Sequence, residues 1–173
     1  MSNNYFQLFG LPVEFEIARS RLISNYRELQ KQLHPDKFAA ASDAERRWSM
    51  QAASHVNEGY QTLDNDLRRA VYLLQLNDIS VDEETDTHMA PEFLMQQMEL
   101  RESLEVVQSA EDPSSGLKKI KSEINISVKE QASQFALSAS ESDWVKARNT
   151  VRQWQFLDKL LREIKMLEER LDA

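Results

Sequence analysis

The sequence lacks cysteine and contains few of the residues that interrupt regular structure. Its 173 residues include three glycines, four prolines and no cysteine. The absence of cysteine excludes disulfide bonds, thiol nucleophiles and thiolate metal ligands. So few glycines and prolines cannot supply the tight turns that a β-sandwich or an α/β fold of this length needs. The sequence therefore predicts an all-α fold built from long helices.

Basic residues are outnumbered as well. The 21 lysines and arginines stand against 29 aspartates and glutamates, and the net charge of −8 argues against a general nucleic-acid-binding protein. No apolar run approaches the roughly 20 residues that span a bilayer. The opening MSNNYFQLFG lacks the basic stretch and the apolar core of a signal peptide. We expect a cytoplasmic protein that binds neither nucleic acid nor membrane.

Charge is distributed unevenly along the chain, and this locates a boundary. Residues 1–78 carry a net charge of −1, residues 79–112 one of −9 and residues 113–173 one of +2. The acidic part opens with NDISVDEETDTHMAPE, which has no helical period and contains a proline. We predict an N-terminal domain over residues 1–77, a linker over residues 78–89 and a C-terminal domain over residues 90–173.

Apolar spacing and capping residues predict the helices of the first domain. An amphipathic helix is predicted over residues 17–33, and it ends before Pro35 because proline disfavours helical geometry in the residue that precedes it. Ser42 and Glu45 form a capping box that begins the next helix. A shorter helix is predicted over residues 66–76. The first two of these helices form a hairpin.

Three further helices are predicted in the second domain, and together they form a bundle. Pro91 suits the first position of the first helix. Pro113 and Gly116 interrupt the chain before the second helix, and Ser140 with Asp143 is a weaker cap for the third.

The turn between the hairpin helices carries a candidate binding site. Its sequence, HPDKFAAAS, places an imidazole and a carboxylate on either side of a proline. Taken alone, these are also ordinary turn residues. Asp36 can accept a charge-assisted hydrogen bond from an arginine of a partner. Arg27 and Lys31, one helical turn apart, would speed the encounter with an acidic surface.

The order of features around this turn resembles the J-domain family. A short aromatic helix, an amphipathic helix, the histidine-proline-aspartate turn, Phe38 and the run VNEGYQTL (residues 56–63) follow one another as in that family, over about residues 4–77. The resemblance implies that the domain stimulates ATP hydrolysis by an Hsp70 chaperone. The Hsp70-binding residues that it implies are His34, Pro35, Asp36, Arg27, Lys31 and Lys37, with Arg19 as a weaker candidate.

The first helix of the second domain has two apolar faces. One face carries Phe93, Leu100, Leu104 and Val107. The opposite face carries Leu94, Met95, Met98 and Val106, interleaved with Glu99, Glu102 and Glu105. Burial of both faces is one interpretation, but three glutamates make full burial of the second face costly. An apolar, methionine-containing face rimmed by acid is typical of a docking surface for a basic partner. Phe156, which lies off the apolar stripe of the last helix, is predicted to extend it.

Four segments narrow the resemblance to the iron–sulfur co-chaperones of the J-domain family, over essentially the whole chain. They are YFQLFGLP (5–12), RAVYLL (69–74), FLMQQMELRESL (93–104) and FLDKL (156–160). In these proteins a three-helix domain binds the iron–sulfur scaffold protein IscU, and the J-domain engages the specialised Hsp70 HscA. The scaffold-binding positions that the resemblance implies are Leu94, Met95, Met98, Glu99, Glu102 and Phe156.

Three positions depart from the pattern of this family. Gly59 stands where alanine is common and costs about 1 kcal/mol of helix propensity. Asp66 stands where proline is frequent. Val106 replaces an acidic residue, so the electrostatic part of the contact ends earlier or uses Glu105.

An enzymatic or metal-binding role is the main alternative. It would use His34 with Asp36, or a metal held by His34, His55 and His88, but no nucleophile or paired ligand accompanies these residues. A J-protein that serves another client is a third hypothesis, because only the second domain selects the cargo. We expect no catalytic activity, no cofactor and no bound metal. A monomer is expected, although the exposed apolar area allows weak self-association.

Overall fold

The computed structural model describes residues 4–81 and 91–171, within two compact units that comprise residues 1–77 and 78–173. All regular secondary structure in these described ranges is helical, which confirms the predicted all-α fold. None of the helices described there is long and apolar enough to cross a membrane. Most of the predicted linker, residues 78–89, lies outside the described residues.

The first unit is built from four α-helices and one short 3-10 helix in its described part. They are α1 (Tyr5–Leu8), α2 (Arg19–Gln32), the 3-10 helix (Pro35–Phe38), α3 (Asp43–Asp64) and α4 (Asp66–Leu76). The predicted capping box begins α3, because Ser42 Oγ accepts from the Glu45 amide at 3.3 Å and Glu45 Oε2 accepts from the Ser42 amide at 2.9 Å. Hydrogen bonds from the Ser42 side chain and backbone lower the pKa of the Glu45 carboxyl.

Helices α2 and α3 form the predicted hairpin, and α1 packs against α3. Tyr26 of α2 stacks on Tyr60 of α3 with ring centroids 4.0 Å apart. The Tyr26 hydroxyl also donates a hydrogen bond to Asn57 Oδ1 at 2.9 Å. The largest side chains of the core are Phe6, Phe9, Leu22, Leu63 and Leu74, all almost fully buried. The hairpin thus places the 3-10 helix at one end of a packed unit.

A buried guanidinium connects three segments of the first unit. Arg69 Nε donates to the Phe15 carbonyl at 2.7 Å, and a second nitrogen donates to the Leu63 carbonyl. Its third nitrogen binds the Asp66 carboxylate at 2.8 Å. Burial lowers the pKa of Arg69, while the hydrogen bond and charge of Asp66 oppose that shift. Asp66 is therefore a partner of the buried arginine.

Gly59 lies where α1 packs on α3. A Cβ atom there would lie 2.7 Å from Tyr5 Cδ1 and 3.2 Å from Phe9 Cε2. The Tyr5 ring cannot easily move, because Tyr72 and His55 pack against it with centroids 4.8 and 5.2 Å away. Gly59 therefore permits the close approach of α1, which is a packing reason for glycine rather than alanine at this position.

The second unit contains three α-helices in its described part, as predicted. They are α5 (Pro91–Gln108), α6 (Pro113–Ser140) and α7 (Trp144–Leu171). Helices α6 and α7 form a long hairpin, and α5 packs on α6. The core that joins the three helices consists of Leu104, Leu117, Ile120, Ile124, Leu157, Leu160 and Ile164.

The predicted start of α6 is wrong by several residues. The helix begins at Pro113 because Asp112 caps it, with the Asp112 carboxylate accepting from the Ser115 amide at 3.0 Å. Gly116 lies inside the helix rather than interrupting the chain. A Cβ atom at Gly116 would lie 2.7 Å from Val107 Cγ1 of α5. This glycine is thus explained by close helix packing and not by a turn.

Of the two residues predicted to cap α7, one does so. Asp143 caps the helix, because its carboxylate accepts from the Lys146 amide at 3.1 Å. Ser140 takes no part, since it is the last residue of α6 and its hydroxyl donates to the Leu137 carbonyl at 2.7 Å. Local hydrogen bonding within the preceding turn therefore removes this serine from the cap.

Replacing Arg69 with methionine should destabilise the first unit by about 2–5 kcal/mol, because the Phe15 and Leu63 carbonyls lose buried hydrogen bonds and Asp66 keeps only Arg19 as a partner. Hydrogen exchange of the full chain should show faster exchange of the α3 and α4 amides, with α6 and α7 as internal reference. Arg68→Met, at an exposed neighbour, is the control and should change stability by less than about 0.5 kcal/mol. Unchanged protection in Arg69→Met would contradict the proposed role of the buried cation.

Replacing Gly59 with alanine should destabilise the first unit by about 1–2 kcal/mol. The added methyl group overpacks the contact with Tyr5, and this outweighs a gain of about 1 kcal/mol in helix propensity. Ser54→Ala, on the exposed side of α3, isolates the propensity effect and should be neutral or slightly stabilising. Hydrogen exchange of the α1 and α3 amides measures both variants. If Gly59→Ala stabilises the protein, the Tyr5 ring moves aside at little energetic cost and the packing explanation is wrong.

Candidate interaction sites

The turn between α2 and α3 is held by a hydrogen bond of its own. His34 caps the 3-10 helix, and its Nδ1 accepts from the Asp36 amide at 3.3 Å. Pro35 occupies the first helical position, where a missing N–H group has no cost. The side chains of His34 and Asp36 are 60% and 91% exposed. The turn therefore presents an imidazole and a carboxylate to solvent on a constrained backbone.

A groove with a basic rim lies beside this turn. Its volume is about 460 Å³, and among the residues that line it are Arg27, Lys31, Leu33, His34, Pro35 and Val56. Arg27 and Lys31 are exposed, and neither forms an ion pair within residues 4–81 and 91–171. The structure thus brings the predicted basic face and the turn together. Lys37 is also exposed, on the 3-10 helix.

Arg19 differs from the other cations of α2. Its guanidinium binds the Asp66 carboxylate and lies 3.7 Å from the Asp64 carboxylate. These contacts connect the start of α2 to the junction of α3 and α4. Arg19 is therefore occupied within the unit and is a poor candidate for contact with a partner.

Two features near the turn have no counterpart in the sequence predictions. Gln30 Nε2 donates to the Tyr26 hydroxyl at 2.6 Å, which extends the Tyr26–Asn57 hydrogen bond into a chain that joins α2 to α3. Trp48 of α3 is 58% exposed, and its ring centroid lies 6.3 Å from that of Phe38. The position of the tryptophan beside two arginines in ERRW indicates an exposed aromatic residue. No local sequence pattern predicts the hydrogen bonds among Gln30, Tyr26 and Asn57.

The two faces predicted for α5 differ in burial as expected. Phe93 and Leu104 are 7% and 2% exposed, and they face the core. On the opposite face, Leu94, Met95 and Met98 are 46%, 61% and 71% exposed. Burial of both faces in the bundle is therefore ruled out for this unit taken by itself. We call Leu94, Met95, Met98, Glu99 and Glu102 the docking face, because the two glutamates are exposed beside the apolar residues.

Phe156 is less exposed than the sequence predicts. Phe156 is half-buried and packs against the core cluster of the second unit. Its ring meets Phe93 edge to face, with centroids 5.8 Å apart and planes at 87°. The Arg101 guanidinium lies 6.0 Å from its centroid. Phe156 therefore supports α5 through Phe93 and also lies beside the exposed Arg101, with part of its side chain accessible.

The described residues give no support for a metal site. No group of three or more histidine, cysteine, aspartate or glutamate side chains there has a metal-binding arrangement. His55 packs its ring against Tyr5. His88 lies outside the described residues, and His34 is used in the turn.

Comparison with known proteins identifies relatives along nearly the full length. The model of the HSCB C-terminal oligomerisation domain family matches residues 89–165. A co-chaperone protein HscB homolog of Vibrio cholerae is 42% identical over 168 residues, which cover 97% of this chain and 98% of the relative. The structure of HscB from Vibrio cholerae aligns with a TM-score of 0.85 at 40% identity, over 98% of this chain and 99% of the other. Human HscB aligns with a TM-score of 0.89 at 29% identity, over 96% and 83%.

A helical hairpin with an exposed histidine-proline-aspartate turn, followed by a separate three-helix unit, defines the class of two-domain J-domain co-chaperones. The similarity over the length of both units narrows the class to one family. This chain belongs to the HscB family of co-chaperones.

Proposed function

We propose that this chain stimulates ATP hydrolysis by a specialised Hsp70 of the HscA type and delivers an iron–sulfur scaffold protein of the IscU type to it. The observation that carries the proposal is the presence of two exposed surfaces of opposite charge on separate units. The first is the turn with its basic groove, and the second is the docking face of α5. Membership of the HscB family supports this assignment.

The turn acts on the Hsp70 by binding and not by chemistry. Asp36 accepts a charge-assisted hydrogen bond from an arginine of the ATPase domain, on a backbone that Pro35 and the His34–Asp36 hydrogen bond have already ordered. Arg27, Lys31 and Lys37 attract an acidic surface and raise the association rate more than the final affinity. The hydrolysed bond and the groups that cleave it belong to the Hsp70, so this chain is not an enzyme.

The docking face holds the scaffold protein through apolar anchors with an acidic rim. Leu94, Met95 and Met98 are the side chains that lose most exposure on contact, and central apolar residues of this kind usually dominate an interface. Methionine adapts its shape to the partner. Glu99 and Glu102 select a basic surface. Phe156, half-buried against Phe93 and Arg101, supports α5 and contacts the scaffold protein with the accessible part of its ring.

Coupling between the two sites follows from their presence on one chain. A scaffold protein bound to the second unit has a raised effective concentration at an Hsp70 bound to the first. A monomer suffices for this role. We place the protein in the cytoplasm, where cell fractionation tests the assignment.

His34→Gln should abolish stimulation of the Hsp70 ATPase, because glutamine does not reproduce the imidazole at the tip of the turn. Asp36→Asn should weaken stimulation at least about tenfold through loss of the charge-assisted hydrogen bond. Steady-state ATPase assays with a purified HscA-type chaperone measure both effects. Scaffold affinity and circular dichroism should stay at wild-type values, and Glu14→Gln, at an exposed carboxylate outside the turn, is the control. Full stimulation by His34→Gln would contradict the proposed site.

Leu94→Ala combined with Met98→Ala should weaken scaffold binding at least about tenfold, because two central apolar anchors are removed. Calorimetric titration with a purified IscU-type protein measures the affinity. Ile126→Ala combined with Leu137→Ala is the matched control, since these α6 side chains are 57% and 53% exposed. Phe156 is left intact because its truncation would open a cavity. If the Leu94 and Met98 variant binds as tightly as this control, the docking face is misassigned.

A further inference from the structure

A groove between α5 and α6 continues the docking face. It has a volume of about 510 Å³, and its apolar part is formed by Val106 and Val107 of α5 with Gly116 and Ile120 of α6. Val106, which lines the groove, is 64% exposed although it is apolar. The groove therefore offers apolar surface that the fold of the second unit does not cover.

Close helix packing at one end gives the groove its shape. Gly116 has no side chain, and a Cβ atom there would lie 2.7 Å from Val107 Cγ1, so α6 approaches α5 closely at this point. Away from Gly116 the groove is bordered by longer polar side chains, from Glu99, Glu102, Lys119 and Glu123. The apolar floor thus lies between a tight helix contact and a charged border.

The charge of that border is mainly negative and comes from both helices. Glu99 and Glu102 project from α5 and Glu123 from α6, against a single cation, Lys119. Within residues 4–81 and 91–171, none of these four side chains forms an ion pair. Glu123 therefore provides a carboxylate near Val106, which stands where the resemblance predicts an acidic residue. This chemistry fits a segment with one apolar and one basic side chain.

We infer that the scaffold interface extends from the docking face across α5 into this groove, where Glu123 of α6 binds a basic segment of the scaffold protein. An apolar side chain of that segment lies on Val106, and its lysine or arginine lies against Glu123. The inference rests on the proposed function, because Glu99 and Glu102 belong to both surfaces and make them continuous. It adds a second helix and a further specificity-determining residue to the client site.

Charge variants on α6 test this inference in the full chain. Glu123→Lys should weaken binding of a purified IscU-type protein at least fivefold at low salt, and the difference should shrink as the salt concentration rises. Lys119→Glu should strengthen binding. Glu130→Lys is the matched control, because Glu130 is exposed on the same helix two turns beyond the groove and the charge change is identical. Glu123→Gln, with a smaller perturbation, should show a smaller loss, and circular dichroism checks that each variant is folded.

The outcomes separate this inference from the proposed function. Equal affinities of Glu123→Lys and Glu130→Lys, with the Leu94 and Met98 variant still impaired, would overturn the α6 contact and leave the docking face in place. A wild-type chain that fails to bind the scaffold protein would overturn both. If Glu123→Lys changes only the sedimentation behaviour of the chain alone, the groove belongs to a second copy of the chain and the inference is wrong.

Discussion

The buried guanidinium of Arg69 is the interaction on which the first unit depends. One cation satisfies the carbonyl that precedes α2 and the carbonyl near the end of α3, and it shares the Asp66 carboxylate with Arg19 at the start of α2. Both helices of the hairpin are thus connected at the end remote from the turn. Because the stack of Tyr26 on Tyr60 also joins the two helices, the position of the His34–Asp36 turn depends on contacts made elsewhere in the hairpin.

The two surfaces of the protein differ in how they are maintained. The conformation of the turn is ordered locally, by a proline and an N-cap, while its position is set by the hairpin that carries it. The docking face depends on the reverse side of its own helix, where Phe93 and Leu104 anchor α5 and Phe156 packs edge to face on Phe93. The basic groove beside the turn favours an acidic partner, and the acidic docking face favours a basic one. Each surface therefore disfavours the partner of the other.

Much of this fold could be predicted because its signals are local. Helical spacing identified the helices and both faces of α5, and the Ser42–Glu45 capping box is a pattern within four residues. The features that were missed depend on contacts distant in sequence. Arg69 binds a carbonyl 54 residues away, Gly59 is explained by the ring of Tyr5, and Gly116 by Val107. The packing of Phe156 on Phe93 was missed for the same reason, since a helical wheel of α7 contains no information about another helix.

The contact between Trp48 and Phe38 has a spectroscopic consequence. The chain has three indoles, and Trp48 is the one in the first unit, with Trp144 and Trp154 both in α7 of the second. Trp154 is almost fully buried, whereas Trp48 is mostly exposed and lies against the residue two positions after Asp36. An aqueous quencher such as iodide or acrylamide therefore reaches Trp48 far more readily than Trp154. The unlabelled protein thus carries a natural fluorophore beside its turn, more accessible to quenchers than the buried indole of Trp154.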